Sequence, residues 1–356
     1  MKIYVVNGKF MQDQMVGIVR YSREILSALD PLLDSSIQVR LLVPPNAINL
    51  PKYKNIVIEQ IGRKISGTKT GIMWEQIDLR KYLKQHRDAI CINFGNVAPF
   101  FVQPGITVIH DIIYKVRPSY YLATLKSFLS RYWHILQYSY ITTHEKKIIT
   151  VSNFSKRDIE KYYPNAKGKV IVIPCAWQHV LQYEENKSWQ EKYPFLMDKQ
   201  FFFSLSTMSK VSQNKNSKWI IDAAKRNPNQ IFAITGNKNE CKYNDSLPPN
   251  LYILGHISDG DVCALIKHCR AFIFPSLYEG FGIPPLEALA LGAEVISSNV
   301  TSLPEVLEDS VYYVDPNNAN IDIENLLHGK VSPKDNVLKK YSWEKSAKML
   351  YDLLKG

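Results

Sequence analysis

The 356-residue sequence lacks most of what marks an exported, membrane-spanning or metal-stapled chain. Its five cysteines (Cys91, Cys175, Cys241, Cys263, Cys269) are scattered and include no Cys-x-x-Cys pair. That argues against a disulfide framework and for free, mostly core thiols in a reducing compartment. The eight histidines show no metal-ligand spacing, so a structural zinc is not expected. No apolar run approaches the ~18 residues of a membrane span. The first residues, MKIYVVNGKFMQDQ, enter a short alternating strand without the basic, apolar and small-residue zones of a signal peptide, so a cytoplasmic protein is expected. There is no Pro/Gly/Ser tract, acidic tail or short-period repeat, and only 22% of residues are charged, which excludes a disordered chain.

What is present is core material and an uneven charge. With 46% hydrophobic residues over 356 positions, the length implies two domains of roughly 150 to 180 residues each. Residues 1–175 hold 25 Lys+Arg against 12 Asp+Glu, a net +13, whereas residues 176–356 hold 19 against 21, a net −2. The first half is therefore directed at something anionic: a membrane surface, a phosphorylated substrate or nucleic acid.

Short β-branched runs alternate with helical patterns in two series. The first comprises residues 2–7, 37–43, 56–61, 89–94, 106–111, 146–152 and 169–174. The second comprises 201–207, 230–236, 251–256, 271–276, 293–299 and 310–315. Strands apolar along their whole length signal parallel sheets covered on both faces, and two series predict two doubly wound α/β domains. The expected boundaries are 1–175 and 200–342, joined by a polar linker at 176–199. Ligands of such sheets bind beyond the carboxyl ends of the strands.

One helix carries the stripe Leu122, Leu125, Leu129, Tyr132, Leu136 and Tyr140 at helical spacing, with Lys126, Ser130, Arg131 and His134 off it. The plain expectation is a stripe on the core; the functional one is a basic, aromatic helix on a membrane, with Phe128 and Trp133 touching lipid.

The segment SLYEGFGIPPLEALALG, residues 276–292, sets Glu279 and Glu287 eight positions apart. A strand ends, glycines make a loop, and Pro284-Pro285 opens a helix that stops near Gly292, offering backbone donors and positive partial charge to a phosphate. Read plainly, Glu287 is an acid in the first turn of that helix and Glu279 a loop brace. Beside an anion-binding turn, however, two carboxylates suit the hydroxyls at either end of a sugar nucleotide. Asp259-Gly260-Asp261 imitates a metal-binding Asp-x-Asp, but Ser258 followed by Asp261 reads as a helix cap. His256 and Ile257, at the end of strand 251–256, are expected to line a base pocket.

Glu279 through Glu287, E-G-F-G-I-P-P-L-E, resembles the E-x7-E motif of retaining glycosyltransferases of the GT-B fold, family 4. Co-linear agreement extends over most of the chain: VIHDIIYKVRPSYY around His110-Asp111, IITVSNFSKRDI at 148–159, NKNSKWIIDAAK at 214–225 and SNVTSLPEV at 298–306. The resemblance implies two Rossmann-like domains across a cleft, with the terminal helix from about Trp343 packing back on the first. It implies that Glu279 contacts the donor sugar, helped by backbone N–H groups of Phe281, Gly282 and Ile283, and that Glu287 holds the ribose. It places Lys215 on the departing diphosphate, His110 at the reaction centre and Gly17 near the phosphates. Asn214 stands where the family has arginine, so either Lys210 supplies a second cation or Lys215 acts alone. Val16 and Val19 replace glycines around Gly17, which makes Arg20 a candidate helper; Arg20 and Asp111 are assigned to the acceptor side.

The implied activity is transfer of a sugar from a nucleotide-sugar donor to a glycan or lipid-diphosphate-linked glycan, with neither metal nor cofactor, in bacterial surface polysaccharide synthesis such as O-antigen or capsule. An anionic membrane surface at the inner face of the cell membrane is a candidate partner. A sugar-nucleotide 2-epimerase would keep the fold and change the reaction. A basic nucleic-acid-binding protein is the alternative from another class, but no zinc finger, RRM or KH pattern is present, so nucleic acid is not expected as a partner.

Overall fold

The computed structural model describes residues 1–13, 17–206, 213–237 and 247–356. Val16, Lys210 and Cys241 lie outside the described residues. The chain divides into two compact units, one of residues 1–116, 129–175 and 343–356, the other of residues 117–128 and 176–342.

The first unit is built on β1 (Lys2–Asn7), β2 (Ile37–Val43), β3 (Ile56–Gln60), β4 (Ala89–Asn93), β5 (Ile106–Val108), β6 (Lys147–Thr150) and β7 (Val170–Val172). They form one parallel sheet in the order β3-β2-β1-β4-β5-β6-β7. Val5, Val6, Leu41, Leu42, Ile92, Val108 and Ile149 are fully buried, as strands covered on both faces require. β5 stops three residues short of the apolar run that announced it, because the His110 N–H leaves the ladder and donates to Asn96 Oδ1 at 2.8 Å.

Helix Trp343–Lys355 buries Trp343, Ala347, Leu350 and Leu354. Ser346 Oγ donates to the Pro174 carbonyl at 2.8 Å, and Tyr4 Oη donates to the Leu354 carbonyl at 2.7 Å. Tyr21 meets Trp343 edge-on. A stretch at the end of the sequence thus completes the hydrophobic cover of the first sheet.

Helix Leu125–His144 corrects the plain expectation for its stripe. Leu125, Leu129, Tyr132 and Leu136 are exposed, and the covered side presents Gln137, Tyr138 and Ile141 instead. Trp133, expected to touch lipid, is half-buried and packs edge-on against Phe100, whose ring also meets Tyr140.

The second unit carries β8 (Phe201–Ser204), β9 (Ile231–Ile234), β10 (Leu251–Ile253), β11 (Ala271–Phe274), β12 (Val295–Ser298) and β13 (Tyr312–Val314). These are parallel in the order β10-β9-β8-β11-β12-β13. β8 and β11 are central, and the Phe-rich strand 201–204 is buried throughout. The segment expected to be a polar linker is built into this unit. It forms turns at Gln178–Gln182, Trp189–Lys192 and Pro194–Leu196, and Trp177 Nε1 and Gln178 Nε2 donate to the carbonyls of Leu338 and Tyr341 at 3.0 and 2.9 Å. Residues 117–128, expected in the first domain, group with the second unit.

Candidate functional site

The polar features of the second unit gather where β8 and β11 end. After β8, the residues Asn214-Lys215-Asn216 are laced to the segment following β11. Leu277 N donates to the Asn214 carbonyl at 2.7 Å, Asn214 Nδ2 to the Tyr278 carbonyl at 3.4 Å, and Asn216 Nδ2 to the carbonyls of Pro275 and Pro316. Asn216 adopts the left-handed conformation at φ 54°, which asparagine tolerates better than most residues. This turn brings Lys215 Nζ to 2.8 Å from Glu279 Oε1 and 5.0 Å from the centre of the Phe274 ring. Both side chains keep some exposure, so each can exchange its partner for a ligand.

The loop that carries Glu279 is held from behind. Its N–H donates to Thr301 Oγ1 at 3.2 Å, and Ser302 Oγ lies 3.0 and 3.1 Å from the carbonyls of Glu279 and Phe281. The Phe281 ring is buried edge-on against Tyr341, leaving its backbone as the part able to meet a ligand. Gly282 caps helix Ile283–Leu291 at φ 97°, and a Cβ there would stand 2.5 Å from Leu303 Cδ2. Because Pro284 and Pro285 carry no N–H, the free donors of this helix start belong to the residues around Gly282 and Ile283. The far end closes on Gly292, also left-handed, whose N–H reaches the Leu289 carbonyl.

Glu287 sits in the second turn of that helix, not the first, so it does not serve as a dipole-matching acid. Instead Oε1 accepts from His179 Nε2 at 2.5 Å, which fixes Nε2 as the protonated ring nitrogen, and the imidazole is almost completely buried. His179 was not singled out in the sequence. Its only signal was a lone histidine in the segment AWQHV, 108 residues from its partner.

His256 is exposed and Ile257 half-buried just beyond the Gly236–Gly255 bridge. Asp261 is a structural residue: with Ser258 it forms a reciprocal cap of helix Asp259–His268, and it also accepts from Asn186 at 2.6 Å and from Lys192. Burial opposes its ionisation, but these bonds outweigh it and hold the carboxyl down at about 2. Among the described residues no group of His, Cys, Asp or Glu is arranged to hold a metal.

In the first unit His110 follows β5. Nε2 lies 2.8 Å from the Phe94 carbonyl and so carries the proton, and the ring meets Tyr21 edge-on. Burial lowers its pKa to about 4, so the ring is neutral at physiological pH. Asp111 Oδ1 accepts from Ile113 N at 2.9 Å, turning the chain after His110. Gly17 begins helix Gly17–Leu29, with no atom within 4 Å of where a Cβ would stand, and Arg20 is half-buried on the same helix.

Two parallel α/β sheets of these orders define the GT-B fold, and solved structures agree. The chain is similar to sucrose-phosphate synthase from Thermosynechococcus elongatus, with a TM-score of 0.72 and 14% identity over 100% of this chain and 98% of that one. Residues 185–344 match the family described as Glycosyl transferases group 1, a span that takes in Lys215, Glu279 and Glu287. Among curated proteins, the chain is 26% identical to O-antigen chain mannosyltransferase B of Escherichia coli over 67% of this chain, a match spanning 64% of that protein's length. It is 24% identical to O-antigen chain mannosyltransferase RfbU of Salmonella typhimurium, over 97% of this chain and 98% of that one.

Proposed function

We propose that this protein is a retaining, metal-independent glycosyltransferase that moves a sugar from a nucleotide diphosphate to a glycan or lipid-linked glycan in O-antigen or capsule synthesis. The names of the relatives favour mannose as the sugar transferred. The observation that carries the reading is the Lys215–Glu279 pair next to the Gly282–Pro284 helix start. In the reaction the bond from sugar C1 to the diphosphate oxygen breaks and a bond from C1 to the acceptor oxygen forms on the same face. The acceptor's proton leaves with the diphosphate. Negative charge grows on the leaving group, and Lys215 with the backbone donors near Gly282 answers it electrostatically. Glu279 holds the sugar hydroxyls and Glu287 the ribose diol. Asn214 cannot replace an arginine's charge, so Lys215 is the principal cation of this role.

The test is a screen of UDP-, GDP-, dTDP- and CMP-sugars for ligand-induced thermal stabilisation, since binding to the folded state raises stability by mass action. One class should stabilise the protein, and Glu279→Ala and Glu287→Ala should each reduce that response. An unchanged response in both would overturn the site, and turnover of the donor without acceptor would favour an epimerase.

An anionic membrane as the seat of a lipid-linked acceptor is favoured by two observations. Leu129, Tyr132 and Leu136 form an uncovered apolar stripe, and residues 1–175 carry the whole positive excess. No helix among the described residues is long and apolar enough to cross a membrane. Surface attachment would therefore combine apolar contact with charge attraction. Vesicles containing phosphatidylglycerol should bind the protein at low salt, and Leu129→Asp with Leu136→Asp should release it; absence of binding at low salt rejects this part.

A further inference from the structure

A second polar constellation lies wholly within the first unit and takes no part in the donor chemistry above. Asn7 ends β1, Lys9 and Phe10 follow in the turn Lys9–Gln12, and Asn93 ends β4. Glu75 arrives from the π-helical turn Trp74–Leu79, a backbone form that recurs at functional sites. Asn7, Lys9, Phe10 and Glu75, with Asp13, Ile18, Val19 and Gly95, line a cavity of about 440 Å³, within the range of small-molecule sites.

The polar groups are fixed. Asn7 Nδ2 donates to Glu75 Oε1 at 3.1 Å and to Asn93 Oδ1 at 3.2 Å, while Asn7 Oδ1 accepts from Lys9 N at 3.3 Å. Lys9 Nζ donates to Glu75 Oε2 at 2.9 Å, and Asn93 Nδ2 to Thr107 Oγ1 at 3.1 Å. Glu75 is only 4% exposed, though it is a carboxylate on a cavity wall. A carboxylate can accept about four hydrogen bonds and an ammonium donate three, so both groups retain capacity toward a ligand. The charges decide which ligand. Lys9 is matched by Glu75, and Asp13 adds another negative charge, so these side chains offer a phosphate or diphosphate no unmatched cation. A neutral polyol needs none: one hydroxyl can donate to Glu75 while its neighbour accepts from Lys9, with Phe10, Ile18 and Val19 as the apolar wall.

We propose that this chamber binds one neutral sugar residue through a vicinal diol bridging Glu75 and Lys9, and that the terminal sugar of the acceptor occupies it. The second clause rests on the glycosyltransferase reading; the first does not. The experiment is saturation-transfer NMR on the full chain with methyl α-mannoside, methyl α-glucoside and methyl α-galactoside, and with inorganic pyrophosphate as the contrasting ligand. At least one glycoside should bind, Glu75→Gln and Lys9→Met should each weaken it at least tenfold, and nucleotide-sugar stabilisation should persist in both. Should either variant unfold, Ile18→Trp closes the cavity without touching the polar groups and should abolish glycoside binding alone. The proposal is overturned if no glycoside binds, if binding survives these substitutions, or if pyrophosphate is the ligand lost in Lys9→Met. Glycoside binding lost in Glu75→Gln, in a protein that no nucleotide sugar stabilises, would support the chamber and reject the transferase reading.

Discussion

Each unit places a lysine–glutamate pair beyond its central strands, and the two pairs are held in opposite ways. Lys9 follows β1 and meets Glu75 at 2.9 Å; Lys215 follows β8 and meets Glu279 at 2.8 Å. β1 and β8 occupy the same place in their sheets, third from the edge formed by β3 or β10. In the first unit the carboxylate is the anchored partner, with both oxygens engaged by Asn7 and Lys9. In the second it is the backbone that is anchored, through Thr301 and Ser302, while the Glu279 carboxylate meets Lys215. A fixed carboxylate suits recognition of a neutral hydroxyl pair; a pair that can separate suits a ligand that brings both hydroxyls and negative charge.

The largest expected effect breaks the second pair. Lys215→Ala should lower kcat for sugar transfer by about 100-fold or more, the scale of removing one electrostatic contact to a developing charge, while leaving glycoside binding in the first unit intact. Glu279→Gln, which keeps the shape and removes the charge, should cost less than Glu279→Ala. Steady-state kinetics with a stabilising donor will check both; equal losses in the two Glu279 variants would mean that its charge, not its contacts, matters.

A smaller effect tests the backbone that serves the second pair. Gly282→Ala forces a side chain into a left-handed conformation and against Leu303, at a cost of roughly 2 kcal/mol in stability. Urea denaturation should register this loss. Gly17→Ala has open space and no positive φ, so it should be nearly neutral.

Much of this architecture is legible in the sequence because parallel sheets bury both faces, which leaves uninterrupted apolar runs such as FFFS and AFIF. The Gly-Phe-Gly-Ile-Pro-Pro turn and the Ser258–Asp261 cap were equally visible, since local backbone chemistry fixes them. Partnerships across the chain were not. Nothing local tells that Glu75 in GIMWEQIDLR meets Lys9, or that His179 meets Glu287, because sheet order and not spacing brings them together. Periodicity likewise found the Leu125–Leu136 stripe but could not tell which face of the helix is covered: the i, i+3, i+4 rule reports a stripe, and the neighbours decide where it points.

The His179–Glu287 contact sharpens the comparison further, because here the second unit does anchor a carboxylate. His179→Asn keeps a donor and should raise the donor KM only slightly, whereas His179→Phe removes it and should raise KM about tenfold, or ~1.4 kcal/mol. kcat should change little in either variant, since the imidazole positions Glu287 and lies away from the sugar. A fall in kcat at unchanged KM would give His179 a different role.

The smallest effect contrasts two buried carboxyls away from either pair. In the first unit burial raises Glu145 to about 7, only partly offset by the Gly105 N–H that donates to it at 2.5 Å. In the second, Asp261 is held at about 2 by Lys192, Asn186 and Ser258 despite its burial. The signs are opposite. Between 4.5 and 7 the folded state binds more protons at Glu145 than the unfolded chain does, so its contribution to stability falls as pH rises through that window. The stability from Asp261 is present above its ordinary value near 3.8 and is lost as pH falls toward 2. Glu145→Gln should therefore flatten the pH dependence of Tm between 4.5 and 7, with a gain above pH 7 of about 1 kcal/mol or less after loss of the charge-assisted bond from Gly105. Asp261→Asn should lower Tm at neutral pH and leave that window unaltered. If Glu145→Gln instead leaves the slope unchanged, the burial of Glu145 is compensated in the folded protein and its carboxyl ionises normally.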